Sequence, residues 1–385
     1  MKKVLIDNCV PLNNGDAALI FALHQNLKQG YEVELSCLKY ELVKEKYPNF
    51  VWHKSHIQTF FQRVCFKKNL FVFFWKMVIF TKLVFFKNEY KDSDIIISAP
   101  GGYIHSYYGI EARMYILYIC KKWLKKNVGI YSQSIGNLTE RDQKIFYKYG
   151  KDLDFILVRD SVSLERINSY GEFKNIRLTK DAAFMLREPQ IRKVDNIDQK
   201  RVAISLRSWN KEGRDMSQYF QLIKSVTDYL LLQNFNITFL STCQGIDEYT
   251  DDSITAKEFV NQFKYSDQRI NIDDKYHSLA DLQTIIKDYD FVIGTRLHMC
   301  ILSWINEVPA FNISYEEKGK EAFSYLGIDR YSVDFNSTDI VEKLDKFIHM
   351  GSDERQIILD KVTNVSEEQI SIFSDLASSN FERKY

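Results

Sequence analysis

Short apolar runs that end in glycine or a polar residue and then lead into a helix recur along this chain. In the clearest case, the run Phe291-Val-Ile-Gly294 leads into a helix predicted over Leu297–Ile305, and a second apolar run, Val308–Ile313, follows it. Two apolar runs joined by a helix indicate parallel strands, because a parallel connection needs a long crossover that is usually helical. The chain is therefore predicted to fold around parallel α/β sheets.

The alternation occupies two separate stretches of the 385 residues, which fits two domains rather than one. The first stretch opens with the strand Val4-Leu-Ile and a loop that contains Asn14-Gly15-Asp16. The second opens at Arg201, after a polar segment over residues 191–200 that indicates a linker. We predict two doubly wound parallel-sheet (Rossmann-like) domains facing a cleft, over residues 1–190 and 197–352, followed by a helical tail over residues 353–385.

The residues that end the predicted strands are candidates for a binding site, because ligands of such sheets bind at the carboxyl ends of the strands. They are Asn14, Gly15 and Asp16, then Gly101 and Gly102 in a predicted tight turn, then Arg159, Asp181 and Arg207. Simpler roles remain open for several of them. Asp16 or Asp181 could cap a helix, and Arg159 could form a local ion pair with Asp160.

The start of the helix after Gly294 is the strongest candidate for chemistry. Thr295 is expected to cap this helix, and Arg296 and His298 are expected on its first turn. A helix start presents unpaired N–H groups and a positive dipole end, which suit a small anion, and histidine can move a proton. The alternative is an ordinary βαβ unit in which Arg296 is solvated and His298 is bonded to backbone.

Composition excludes several classes of protein. The chain has 52 basic and 51 acidic residues, so nucleic acid is not an expected partner. None of the six cysteines forms a CxxC pair, which argues against structural zinc and favours reduced core thiols. The acidic segment Asp247–Asp252 could hold a divalent metal, but a solvated loop is favoured. With neither a secretory signal nor a bilayer-spanning run, we expect a cytoplasmic protein.

A basic and aromatic insertion is predicted over residues 55–90. Residues 46–88 contain no Asp or Glu, and residues 60–87 interleave six basic with ten aromatic side chains. A helix pair of this kind suits peripheral attachment to the inner face of the cytoplasmic membrane, where aromatics enter the interface and lysines meet anionic headgroups. The alternative is that the aromatics pack on the domain and the lysines are solvated.

The ordered motifs resemble those of the polysaccharide pyruvyl transferases over about residues 1–330. The most specific part is Gly294-Thr-Arg-Leu-His298 with the Val308-Pro309 and Ser314-Tyr315-x-x-Lys318 that follow it. The other matching segments are Asn14-Gly-Asp-Ala-Ala-Leu19, Pro100-Gly-Gly102, Val158-Arg-Asp-Ser-Val-Ser163 and Asp181-Ala-Ala-Phe184. The chain has Pro100 where the family usually has a third glycine.

The resemblance implies a fold similar to GT-B glycosyltransferases, with an acceptor-side N-terminal domain and a donor-binding C-terminal domain. It implies transfer of pyruvate from phosphoenolpyruvate to a glycan or lipid-linked sugar acceptor, with release of phosphate and without a cofactor or metal. His298 and Arg296 would be catalytic. Substrate contacts are expected from Asn14, Gly15, Asp16, Gly101, Gly102, Arg159, Arg207, Thr295, Ser314, Tyr315 and Lys318.

Two other functions remain open from the sequence. A GT-B glycosyltransferase with a nucleotide-sugar donor would use the same arginines on a diphosphate. A member without catalytic activity would only bind glycan.

Overall fold

The computed structural model describes residues 1–57, 69–188, 200–208, 216–246, 249–314 and 317–381. Its contacts divide the chain into two compact units. The first unit comprises Met1–Pro11, Leu19–Met185 and the residues from Glu368 onward, and the second comprises Leu12–Ala18 and Leu186–Glu367. The predicted linker falls almost entirely outside the described residues. No helix among the described residues is both long and apolar enough to span a bilayer.

The first unit is built on a parallel sheet with the strand order β3-β2-β1-β4-β6-β7-β8, and β5 pairs with β6. Its central strands are apolar and buried on both faces, as expected for a parallel sheet covered by helices. The strands are β1 (Lys3–Cys9), β2 (Glu32–Cys37), β3 (Trp52–Lys54), β4 (Ile95–Ser98), β5 (Gly101–Ile104), β6 (Asn127–Ile135), β7 (Phe155–Val158) and β8 (Ile176–Leu178).

The helices of this unit follow the strands in alternation, which confirms the α/β prediction. They are Asn14–Lys28, whose first residues belong to the second unit, then Tyr40–Lys46, Asn69–Phe85, Glu89–Asp92, Glu111–Lys122, Glu140–Gly150, Ser161–Tyr170 and the 3-10 turn Ala182–Leu186. Within the insertion, helix Asn69–Phe85 is the long helix of the described residues, and residues 58–68, where the first helix of the predicted pair would lie, are outside them.

The segment after Pro100 differs from its prediction. Gly101–Ile104 is a strand that pairs in parallel with β6, rather than a tight turn. Gly101 has a φ of 156°, which side-chain-bearing residues rarely adopt, so this position requires glycine. The short strand keeps the glycines at the edge of the sheet.

The second unit is built on a six-stranded parallel sheet with the order β11-β10-β9-β12-β13-β14. The strands are β9 (Arg201–Ser205), β10 (Asn236–Phe239), β11 (Ile270–Ile272), β12 (Phe291–Gly294), β13 (Ala310–Ser314) and β14 (Ser332–Asp334). The helices are Met216–Leu232, Asp252–Gln262, Leu279–Ile286, Leu297–Ile305, Glu317–Tyr325, Ile340–Ile348 and Ser352–Leu376, with the 3-10 turn Asp329–Tyr331. A π-helical turn, Ala377–Phe381, follows the last helix.

The strand order of the second sheet reverses direction between β9 and β12, which are neighbours and pair from Phe291–Val202 to Gly294–Ser205. Ligands of doubly wound sheets bind beside such a reversal point, at the carboxyl ends of the two strands. Arg207 follows the end of β9, and Thr295-Arg296 follows the end of β12. These residues therefore lie where a ligand of this sheet is expected to bind.

Candidate active site

The loops that follow β9 and β12 are tied together by one tyrosine of helix Met216–Leu232. The hydroxyl of Tyr219 lies 2.9 Å from Oγ1 of Thr295 and accepts a hydrogen bond from the backbone N–H of Arg207 at 3.3 Å. The N–H of Thr295 also donates to the carbonyl of Ser205. Burial raises the pKa of Tyr219, so this hydroxyl stays protonated. Arg207 and the helix start are therefore fixed side by side.

Thr295 does not cap the following helix, contrary to the sequence prediction. Arg296 occupies the N-cap position with extended backbone angles, and its side chain makes no capping hydrogen bond. The side chain of Thr295 is instead buried against Tyr219. The first turn of helix Leu297–Ile305 thus begins at Leu297 rather than at Arg296, and it carries His298.

Arg296 is held by a buried carboxylate. Its Nε and Nη2 donate to Oδ2 and Oδ1 of Asp252 at 2.8 and 2.7 Å, and the aspartate side chain is completely buried. The hydroxyl of Ser241 donates to the same carboxylate at 2.6 Å. The paired geometry fixes the plane of the guanidinium and offsets its charge. The alternative of a solvated Arg296 is wrong, because only 15% of its side chain is exposed.

Asp252 also corrects the interpretation of the acidic segment. The sequence favoured a solvated loop, but Asp252 begins a helix and is buried, and Asp251 caps that helix. Asp247 and Glu248 lie outside the described residues. The described residues contain no group of three His, Cys, Asp or Glu side chains arranged to hold a metal.

The loop that enters helix Asn14–Lys28 ends at Gly15, in the first turn of the helix, and Gly15 lies directly against His298. A methyl group on Gly15 would lie 2.7 Å from Nδ1 of the imidazole and 3.0 Å from its Cβ, so only glycine fits without displacing the ring. The N–H of Gly15 donates to Oδ1 of Asn13 at 2.8 Å. Two segments almost 300 residues apart in sequence are thus brought into contact, both within the second unit.

Asn14 anchors this loop to two neighbouring loops. Its N–H donates to the carbonyl of Thr242 at 2.7 Å, and its side-chain amide donates to the carbonyl of His277 at 2.9 Å. Oδ1 of Asn14 is buried and has no hydrogen-bond partner within the described parts of the chain. His277 is oriented in turn by Asp273, whose carboxylate lies 2.9 Å from Nε2. This unpaired acceptor, next in sequence to Gly15, is a candidate partner for a donor on a ligand.

Arg159, in the first unit, ends β7 in a buried polar network. Its Nη1 donates to Oδ2 of Asp181 at 2.7 Å, and its Nε donates to the hydroxyl of Ser134 at 2.8 Å. The pairing predicted as an alternative, Arg159 with the adjacent Asp160, does not form. Asp160 instead caps helix Ser161–Tyr170 by accepting from the N–H of Ser163. Arg159 is therefore a positioned and charge-balanced donor.

Gln133 was missed by the sequence analysis and lies beside the predicted glycines. Its side chain is fully buried, and neither amide atom has a hydrogen-bond partner among the described residues. A methyl group on Gly101 would lie 3.7 Å from its Oε1, and one on Gly102 would lie 3.8 Å from Nη2 of Arg159. An unpaired buried amide is costly unless a ligand satisfies it, so Gln133 is a candidate ligand contact. No motif marks this position in the sequence.

For the other predicted site residues, the structure gives fewer contacts, or the residue lies outside the described range. Ser314 ends β13 and is buried, and its carbonyl accepts from the N–H of Phe335. Asp16 lies in the first turn of helix Asn14–Lys28 and is half-buried. Tyr315 and the side chain of Lys318 lie outside the described residues, although Lys318 itself falls within helix Glu317–Tyr325.

Comparison with known proteins decides the family. The model of the polysaccharide pyruvyl transferase family matches residues 13–317, which include both the loop at Gly15 and the helix start at His298. The chain belongs to the polysaccharide pyruvyl transferase family. It is also 24% identical over 320 residues to the amylovoran biosynthesis protein AmsJ of Erwinia amylovora, with 76% of each chain covered. The protein is thus a transferase with a relative in amylovoran biosynthesis.

Solved structures show that this pyruvyl transferase has a GT-B-like fold. The S. aureus MnaA–UDP co-structure matches with a TM-score of 0.62 at 10% identity and covers 98% of this chain and 96% of its own. Trehalose 6-phosphate synthase from Burkholderia multivorans matches with a TM-score of 0.63 at 11% identity, covering 100% and 99%. At such low identity, these likenesses establish the fold alone.

Proposed function

We propose that the protein transfers pyruvate from phosphoenolpyruvate to two hydroxyls of one sugar in a cell-surface polysaccharide or its lipid-linked precursor. The products are a cyclic pyruvate ketal and phosphate. The family and the amylovoran-related protein support this reaction class. The observation that carries the proposal is the contact between Gly15 and His298 beside the start of helix Leu297–Ile305, with Arg296 fixed next to them.

The charges of this helix start suit the donor. Phosphoenolpyruvate carries a phosphate and a carboxylate, and a helix start beside Arg207 and Arg296 offers N–H donors and positive charge to both. Because Asp252 offsets the charge of Arg296, the ion pair contributes directed N–H groups more than net charge. The positive dipole at the start of helix Leu297–Ile305 and the charge of Arg207 must then supply the remaining attraction for phosphoenolpyruvate. Lys318 is proposed to add to this attraction.

The proton balance gives His298 its role. Addition of a proton to the methylene carbon of phosphoenolpyruvate makes the adjacent carbon electrophilic, and a sugar hydroxyl then bonds to it. The second hydroxyl of the sugar replaces phosphate at the same carbon. Of the two hydroxyl protons, one balances the new methyl group and the other leaves with phosphate. We assign to His298 the transfer of one of these protons.

The polar group at the strand ends of the first unit is proposed to bind the acceptor sugar. Gln133 supplies an amide donor and acceptor, and the exposed Gly102 beside it has no side chain to cover its backbone, which leaves room for sugar hydroxyls. Arg159 would donate to a hydroxyl while Asp181 and Ser134 keep it in place. Because Asp181 already offsets the charge of Arg159, this arginine is better suited to bind neutral hydroxyls than to bind a second anion.

The reaction is tested with purified protein, phosphoenolpyruvate and glycan precursor extracted from cells that lack the protein. We expect acceptor-dependent phosphate release and a product heavier by pyruvate minus water in mass spectrometry. Release of nucleotide from a nucleotide sugar, with no use of phosphoenolpyruvate, would instead establish the glycosyltransferase alternative.

Variants distinguish catalysis from glycan binding alone. His298→Ala and Arg296→Lys should each lower kcat by about a hundredfold or more, because one loses the proton carrier and the other the planar fork. His349→Ala is the matched control, since this histidine is exposed at the end of helix Ile340–Ile348. Full activity in both site variants would refute the enzymatic role of this helix start.

A further inference from the structure

Helix Asn69–Phe85 exposes an apolar face. The exposed fractions are 60% for Phe73, 58% for Phe74, 52% for Met77 and 52% for Val78. Phe85 and Phe86 at the end of the helix are exposed to 70% and 61%. At 100° per residue, positions 73, 74, 77, 78 and 85 fall on one side of the helix.

The opposite side of the same helix is packed into the first unit. The buried side chains on that side are Val72, Trp75, Ile79 and Leu83. The last three belong to a hydrophobic core cluster of the first unit. The helix is therefore apolar on both sides, but only one side is buried against the rest of the first unit. A surface helix normally presents polar residues outward, and a contiguous apolar patch on a monomer marks a binding surface.

The charges near the exposed face indicate which kind of partner it binds. Residues 46–88 contain no acidic residue, so the face lies in a locally basic segment despite the near-neutral whole chain. Lys82 and Lys87 are exposed at and beyond the last turn of the helix, and Lys67 and Lys68 precede it in sequence. Trp123, itself 57% exposed, packs against Phe80 with ring centroids 4.8 Å apart. Aromatics flanked by lysines match a bilayer interface with anionic headgroups.

One lysine of this segment is excluded from headgroup contact. Lys76 forms an ion pair with Glu111 and donates to the hydroxyl of Tyr149 at 3.0 Å. Its amine also lies over the rings of Tyr115 and Tyr149 at 5.3 and 5.4 Å. This lysine fixes the helix to the first unit, so among the described residues of the segment the surface charge comes from Lys82 and Lys87.

We propose that the outward face of helix Asn69–Phe85 docks this protein on an anionic phospholipid bilayer, with the helix lying in the plane of the interface. Phe73, Phe74, Met77 and Val78 enter the boundary between headgroups and acyl chains. Lys82 and Lys87, at and beyond the last turn of the helix, contact lipid phosphates. Docking of this kind holds the enzyme at the surface where a lipid-linked acceptor would be found, but it does not depend on the proposed reaction.

The test is sedimentation of the full chain with phosphatidylcholine vesicles, with and without phosphatidylglycerol. We expect binding to the anionic vesicles that weakens with added salt, because the Debye length shortens. Phe73→Ser with Phe74→Ser should lower the partition coefficient by roughly tenfold or more, since each aromatic loses its buried area. Lys82→Gln with Lys87→Gln should lower it by roughly tenfold, and at low salt only.

Leu232→Ser is the matched control, because Leu232 is 83% exposed on a helix of the second unit. The substituted phenylalanines are exposed, so circular dichroism and thermal unfolding should show intact folds. Equal vesicle binding by the wild type and the double phenylalanine variant would overturn the proposal, as would no binding at all. A dimer in sedimentation velocity that the phenylalanine variant abolishes would assign the face to a second copy of the chain instead.

Discussion

Arg296 and Asp252 form a two-point ion pair, with N–O distances of 2.8 and 2.7 Å, in which the carboxylate is completely buried. The pair joins the end of β12 to the start of helix Asp252–Gln262 across 44 residues of sequence. A buried carboxylate is tolerated only when its partner is present, so the two residues depend on each other. The arginine is thereby aimed before any ligand binds, which lowers the cost of organising a site.

Replacing the carboxylate should separate orientation from charge. In Asp252→Asn the guanidinium keeps its charge and loses its fixed plane, so we expect kcat/KM for phosphoenolpyruvate to fall by roughly tenfold to a hundredfold. The unfolding free energy should fall by about 2 kcal/mol, less than for a fully buried pair, because Arg296 retains some exposure. Steady-state kinetics and chemical denaturation measure the two effects. Asp274→Asn, in an exposed pair with Lys257, should leave both kcat/KM and the unfolding free energy close to the wild-type values.

A methyl group at position 15 should damage the site without damaging the fold. In Gly15→Ala, the new Cβ would meet Nδ1 of His298 at 2.7 Å and displace the ring, so we expect kcat to fall by roughly a hundredfold. Alanine in a helical first turn is otherwise favourable, so the melting temperature should hold. Gly30→Ala is the control, since nothing lies within 4 Å of its Cβ position. Normal turnover in Gly15→Ala would show that the position of the imidazole is not critical.

Gln133 should show opposite effects on stability and on binding. Because neither amide atom is paired among the described residues, Gln133→Leu should leave the melting temperature unchanged or raise it. The same change should raise KM for the acceptor roughly tenfold or more, since a ligand loses its amide partner. A melting temperature that falls together with an unchanged KM would assign Gln133 a purely structural role.

Gln369→Leu is the matched control for that prediction. Oε1 of Gln369 accepts from Thr179 at 2.5 Å and from the N–H of Lys180 at 2.9 Å, and its amide donates to Tyr131 at 2.9 Å. Its loss should lower the unfolding free energy by about 2–3 kcal/mol, because several buried groups lose a partner. The two glutamines therefore differ in whether the fold already satisfies them.

His24 should make folding stability depend on pH. Burial, and to a lesser degree the charge of Lys28, lowers its pKa from 6.5 to about 4. As the pH falls from about 6.5 to about 4, His24 is protonated in the unfolded chain but stays neutral in the folded chain. The unfolding free energy therefore declines over this range. Urea denaturation of wild type and His24→Gln should show a shallower decline in the variant. Parallel curves would mean that this imidazole titrates equally in both states.

The alternation of apolar runs and helices was sufficient to predict the fold class and many of its elements. The strand over Phe291–Gly294 and the helix over Leu297–Ile305 have the predicted bounds. Their residues are apolar at the spacing that their own geometry requires, so local sequence carries the information. The strand Gly101–Ile104 was predicted as a tight turn, because its pairing with β6 depends on a distant partner that local sequence does not reveal.

By itself, the sequence determined that the chain forms two parallel-sheet units and that a helix with His298 in its first turn follows a buried strand. These features depend on neighbours a few residues apart, which share one periodic pattern. Tertiary structure alone decided that Asp252 neutralises Arg296, that Gly15 packs on His298, and that Gln133 is buried without a partner among the described residues. Each of these depends on which strand ends become neighbours in a sheet, and strand order is set by long-range packing rather than by local pattern.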